Sequence, residues 1–113
     1  MTPFRSMPDA QVWPETAALS ADGHLVVGGC DMPTLAKSYG TPLYVFCEHT
    51  IRQACRRYRD AFAQAFRGQT VVHYASKALL NTAIAQLVAS EGLGLDVVSG
   101  GELFVAMQAG IPA

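Results

Sequence analysis

From His49 to Phe66 the apolar positions recur at helical spacing. Ile51, Ala54, Cys55, Tyr58, Ala61, Phe62, Ala65 and Phe66 follow the i, i+3, i+4, i+7 pattern, which predicts an amphipathic helix with an aromatic stripe turned to a core. Arg52, Arg56, Arg57 and Arg59 take the other side with Gln53, Asp60 and Gln64, and read as a solvated face; Gly68 ends the segment. The period then changes. Thr70 to Ala75 is rich in β-branched and aromatic residues and predicts a strand. Asn81 fits the N-cap of a helix running to about Glu91, with Ala83, Ile84, Leu87 and Val88 apolar and Gly92 as its stop. Gly94 to Val98 repeats the strand, and a helix from Ser99 to about Ala109 carries Leu103, Phe104 and Met107, with Gly110 and Pro112 as terminators. Strand, helix, strand, helix predicts parallel strands joined by right-handed crossovers.

Upstream the pattern is weaker. Met1 to Asp22 has little periodicity and carries Pro3, Pro8 and Pro14, so a flexible or loosely docked arm is expected over residues 1–22. Gly23 to Val27 predicts a short strand and Gly28-Gly29 a turn. Asp31 and Pro33 mark a helix start, Leu35, Ala36 and Tyr39 its buried side, and Gly40 its end; Leu43 to Cys47 predicts a second short strand.

The chain has 113 residues, half of them hydrophobic, and a formal net charge of −1. That balance argues against nucleic acid as a partner. No apolar run approaches the ~20 residues that span a bilayer, and the first residues lack a signal-peptide hydrophobic region. Cys30, Cys47 and Cys55 are odd in number and lack metal-site or Cys-x-x-Cys spacing, which fits a reducing cytoplasm and no metal. No Walker-type loop, GxGxxG or His-Glu-x-x-His is present.

The candidate chemistry lies at the two strand ends. His73-Tyr74-Ala75-Ser76-Lys77-Ala78 puts a lysine where an apolar strand stops and a polar turn begins. A cation there is costly to bury but well placed to reach a ligand in the mouth of an α/β barrel. Lysine is also the side chain that forms a Schiff base with an aldehyde cofactor. If Lys77 faces such a site, strand alternation places Ala75 and His73 on the same side, with Ala75 leaving room for a flat ring and His73 expected as a satisfied core histidine. Asp96 is a carboxylate within the apolar run Leu93 to Val98, and burial there would demand a partner. Ser99-Gly100-Gly101-Glu102 fits a capping box, with Ser99 capping the last helix and Glu102 reaching back to its amide. Close backbone approach or turn geometry would each account for Gly100 and Gly101.

Tyr74-Ala75-Ser76-Lys77-Ala78, then Asp96-Val97-Val98-Ser99-Gly100-Gly101-Glu102-Leu103 one βα unit later, with Tyr39-Gly40-Thr41-Pro42-Leu43-Tyr44-Val45 as the lead-in, resemble the fold-type III decarboxylases that use pyridoxal phosphate, most closely the diaminopimelate decarboxylases. The resemblance runs from about Leu25 to Ala113. It implies pyridoxal 5′-phosphate on Lys77, with Asp96 close to the cofactor and Glu102 at the periphery. It implies an α/β fold: the opening βα units of a (β/α)8 TIM-like barrel over 48–113, preceded at 23–47 by strands and a short helix belonging to a separate β domain. The activity implied is decarboxylation of meso-2,6-diaminopimelate to L-lysine by a cytoplasmic homodimer acting on a small amino acid. Relatives acting on ornithine, arginine or carboxynorspermidine, or a non-catalytic carrier of the cofactor, are the alternatives. Because such a barrel needs about 250 residues, the chain reads as the amino-terminal piece of a longer protein. The remaining site groups of the family fall later in its pattern.

Overall fold

The computed structural model describes Thr2–Pro3 and residues 10–112. The chain divides into two compact units, Met1–Ile51 and Arg52–Ala113.

The first unit is built on a four-stranded antiparallel sheet in the order β1 (Thr2–Pro3), β2 (Ala18–Leu19), β3 (Leu25–Val27) and β4 (Cys30–Asp31). Val27 pairs with Cys30, so Gly28-Gly29 is a two-residue hairpin loop, and Ala18 pairs with Val26. A core of Ala17, Val27 and Cys47, flanked by Leu25 and Met32, sits beneath it. The Thr16 hydroxyl accepts the Gly28 amide at 2.8 Å and lies 3.1 Å from the Cys47 thiol. Much of the expected arm is therefore anchored: Ala17 and Ala18 are buried, and the Glu15 amide donates to Thr50 Oγ1 at 3.0 Å. Residues 4–9 of that arm lie outside the described residues.

Helix α1 (Met32–Tyr39) follows at once. The Asp31 carboxylate accepts from the Thr34 amide at 2.9 Å and the Thr34 hydroxyl at 2.7 Å, and His24 Nδ1 lies 2.8 Å from it. The Thr34 bonds hold the Asp31 carboxyl below its ordinary range. None of α1 is fully buried: Leu35 and Ala36 are half-buried and Tyr39 is exposed. The expected strand at Leu43–Cys47 does not form. That run is irregular, with Leu43, Tyr44, Val45 and Phe46 exposed. Its β-branched and aromatic composition favours a pleated, half-buried surface, and among the described residues no strand edge pairs with it.

Helix α2 (Glu48–Ala65) leads into the second unit. There β5 (His73–Ala75) and β6 (Gly94–Asp96) pair in parallel, with Ala75 opposite Asp96, and α3 (Thr82–Ser90) forms the crossover. Helix α4 (Gly100–Gln108) packs on α3, and α3 packs on β6. Ile84, Ala85, Val88, Leu93, Ala106 and Ala109 supply the buried apolar atoms. Both helices end in the same way. Gly92 N donates to Ala89 O and Leu93 N to Val88 O; Gly110 N donates to Met107 O and Ile111 N to Ala106 O. Each is a Schellman stop, whose left-handed residue is Gly92 at φ 81° and Gly110 at φ 75°.

Two expectations for α2 change. Its aromatic stripe is not buried, since Tyr58, Phe62 and Phe66 are all more than half exposed and only Cys55 is fully covered. Its arginine face is not simply solvated. Arg52 Nη1 donates to Glu91 Oε1 at 2.8 Å, Arg56 grips both carboxylate oxygens at 2.7 and 2.8 Å, and Arg59 Nη1 donates to the Glu91 carbonyl at 2.9 Å. Glu91 is 6% exposed and sits at the carboxyl end of α3, where a lone negative charge opposes the helix dipole. A carboxylate in that position requires cationic partners, and one face of α2 provides them.

The Arg56 and Arg52 hydrogen bonds hold the Glu91 carboxyl at about 2, against an ordinary value of 4.5. A depressed carboxylate stabilises the fold fully above its unfolded value and loses that contribution as the pH falls through the folded one. Glu91→Gln in the intact protein is therefore expected to lower Tm at neutral pH, and the gap from wild type to close between about pH 4.5 and 2. Thermal unfolding across that range checks this; a gap independent of pH would contradict it.

Candidate functional site

Parallel pairing sets both strand ends at one side of the sheet. Beyond Ala75 the backbone leaves the strand and makes a single 3-10 turn, Ser76–Ala78, with Lys77 in the middle. Asp96 ends β6 in register with Ala75. Lys77 and Asp96 thus lie at the same carboxyl end, the side on which α/β barrels place their chemistry. Both side chains are exposed. A ligand can reach the Lys77 amine, and Asp96 is not subject to the burial that would demand a partner.

The turn breaks the expected alternation. Strand parity ends at Ala75, so it does not place Lys77 on the side of His73 and Ala75. His73 is exposed and not in the core; its ring lies over Gly94, its partner across the sheet, so closely that a Cβ at Gly94 would collide with it. An apolar groove of about 750 Å³, lined in part by His73, Leu95, Val97, Leu103 and Met107, reaches this part of the sheet. Neither Lys77 nor Asp96 lines it.

Side chains on either side of Lys77 shape the turn. Tyr74, half-buried, donates its hydroxyl to the Leu79 carbonyl at 2.8 Å. Burial raises the Tyr74 hydroxyl above its ordinary pKa, which keeps it protonated as a donor. Ser76 is 2% exposed, and its hydroxyl has no hydrogen-bond partner among the described residues. Sequence reading placed both residues in the lysine motif but gave neither a role of its own. Downstream, Asn81 Oδ1 accepts the Ile84 amide at 2.8 Å and starts α3 as expected.

At the other strand end, Ser99 Oγ accepts the Glu102 amide at 3.2 Å and caps α4. The Glu102 carboxylate reaches back one residue further than a capping box requires. It accepts the Val98 amide at 2.7 Å, not that of Ser99. That bond gives Glu102 a structural task, tying the exit of β6 to α4. Gly100 and Gly101 have no positive φ and nothing crowds their α-carbons, so turn geometry does not account for them.

Residues 48–113 match the family described as pyridoxal-dependent decarboxylase, pyridoxal binding domain. The chain is 44% identical over 108 residues to diaminopimelate decarboxylase of Synechocystis sp., covering 96% of this chain and 23% of that protein. It is 48% identical over 99 residues to the Bacillus subtilis enzyme of the same name, covering 87% of this chain and 22% of that one. The crystal structure of diaminopimelate decarboxylase from M. jannaschi superposes with a TM-score of 0.79 at 40% identity, over 87% of this chain and 23% of that one. This chain belongs to the pyridoxal-dependent decarboxylase family, whose cofactor is pyridoxal phosphate. Its fold is α/β: the opening βα units of a barrel of that family, preceded by short strands. It spans just under a quarter of the length of the curated relatives it matches.

The donor chemistry at the strand ends fits that cofactor. A reachable primary amine suits its carbonyl carbon, and a carboxylate stands at the same end of the sheet, paired with the small Ala75.

Two substitutions separate cap from site. Ser99→Ala should cost about 1 kcal/mol of stability, as other lost helix caps do, with little effect on turnover; a large fall in turnover with an unchanged melting curve would place Ser99 in the site. Ser76→Ala removes a buried hydroxyl that makes no bond. Thermal unfolding of the intact protein should show it neutral or stabilising by up to about 1–3 kcal/mol, the cost of an unsatisfied buried donor.

Proposed function

We propose that Lys77 is the amine that takes up pyridoxal phosphate and that the protein decarboxylates meso-2,6-diaminopimelate to L-lysine, acting as part of a chain of the relatives' length. One observation carries the reading: within the matched family region, an exposed lysine stands on a turn just past the carboxyl end of a parallel strand whose last residue, Ala75, pairs with Asp96 on the next.

The chain's own residues divide the work. Lys77 supplies the nucleophilic nitrogen, which attacks a carbonyl carbon once deprotonated. Asp96 places a carboxylate at the same sheet end, where it can orient the bound group. The cofactor, when bound, supplies an electron sink for the charge left by departing carbon dioxide. Ser99 and Glu102 tie the exit of β6, two residues past Asp96, to α4.

The names of the relatives at 44–48% identity support this choice of substrate. Residues 23–47, with the β1 and β2 strands that pair onto them, as part of a β domain and 48–113 as the start of the barrel complete the proposal. A cytoplasmic homodimer rests on family resemblance alone. Among the described residues, no helix is long and apolar enough to cross a membrane.

Lys37, the other lysine of this sequence, serves as the internal control. Borohydride reduction of the intact protein with pyridoxal phosphate should leave a pyridoxyl group on the peptide containing Lys77. Lys77→Ala should abolish both label and turnover, whereas Lys37→Ala, on an exposed position of α1, should change neither appreciably. A label on Lys37 would overturn the assignment.

A further inference from the structure

The geometry points to Tyr74 as a positioning residue for Lys77, its hydroxyl closing the turn that carries the amine. This deepens the functional reading above and rests on it. A single 3-10 turn is a weak element, with poorer hydrogen-bond geometry than an α-helix. Ser76–Ala78 has no side-chain cap at its start, and the Ser76 hydroxyl fastens nothing. The segment is held by its ends. Asn81 secures the downstream side by capping α3, and β6 secures the upstream side through Ala75. Between these anchors, the bond from the Tyr74 hydroxyl to the Leu79 carbonyl, at 2.8 Å, is the one side-chain hydrogen bond made to Ser76–Leu80 among the described residues.

The placement of that bond matters more than its strength. It runs from the residue before the end of β5 to the first residue after the turn, so the loop it closes, Ala75 to Ala78, contains Lys77. The donor belongs to a strand whose register is fixed by pairing, and the phenol ring is half-buried, so the tether has a rigid end. Without it, Leu79 is free to move, and the turn samples conformers in which the lysine nitrogen leaves the strand end. The apparent affinity of a ligand for a fractionally populated conformer falls by that fraction. Tyr74 therefore acts through Lys77, setting how often its amine stands where a carbonyl can meet it.

The test uses the intact protein as wild type, Tyr74→Phe and Ser76→Ala. In the cofactor-free state, hydrogen exchange at the Lys77–Leu80 amides should quicken roughly three- to tenfold in Tyr74→Phe, the range for loss of one hydrogen bond, while the Ile84–Ser90 amides of α3 stay unchanged. The fraction of Lys77 trapped by borohydride at subsaturating pyridoxal phosphate should fall by a similar factor. Ser76→Ala, which breaks no bond in the turn, should show neither faster exchange nor lower trapping than wild type.

Unchanged exchange in Tyr74→Phe would overturn the proposal. So would faster exchange with undiminished trapping, which would make the bond structural only. Absence of label from Lys77 in wild type and both variants would refute the functional reading itself, a result distinct from either. Should Tyr74→Phe also lose protection throughout α3, 3-fluorotyrosine at this position keeps the ring and hydroxyl while lowering the phenol pKa. Trapping at Lys77 must then decline at a lower pH than in wild type, and coincident pH profiles would overturn the proposal.

Discussion

Parallel pairing of β5 and β6 is the constraint on which the candidate site depends. Two parallel neighbours run the same way only if the chain returns across one face between them, and α3 makes that return. Both strands therefore finish on one side, and register decides what finishes together. Here Ala75 stands opposite Asp96. A slip of one residue would move every side chain of β6 to the other face and take the carboxylate from the level of the lysine turn. The close fit of the His73 ring over Gly94 disfavours such a slip, because any side chain brought to that place would meet the ring.

The elements of the second unit were legible because each carries its own local stop signals. Asn81 and Ser99 cap, Gly92 and Gly110 terminate, and the structure uses all four as the sequence suggested. Such signals act within a few residues and need no knowledge of the rest of the fold. The Tyr74 to Lys77 motif was legible for another reason: a cation at the end of an apolar strand breaks the local pattern, and broken patterns gather at functional sites.

What sequence reading missed depends on distant partners. Leu43–Cys47 has strand composition, but a strand exists only against another edge. The arginines of α2 looked solvated because their acceptor lies 32 to 39 residues away in the chain. Nothing local marks Glu91 as that acceptor, since a glutamate at a helix end is ordinarily a surface residue. The placement of Lys77 was missed on a finer scale. The strand's end at Ala75 was legible, but alternation was carried past it to Lys77, and a 3-10 turn does not keep strand parity.

The convergence of three guanidinium groups on one residue makes the two sides of that cluster unequally tolerant of change. Arg52, Arg56 and Arg59 share the work, so exchange of any one for a neutral residue leaves Glu91 still facing positive charge. Glu91 has no such reserve. Its replacement leaves cations crowded on one helix face without the carboxylate that drew them together. Drift among related chains should therefore wander through the arginine positions singly while holding the glutamate in place. A chain that has lost its acid at position 91 should also have shed more than one of these arginines.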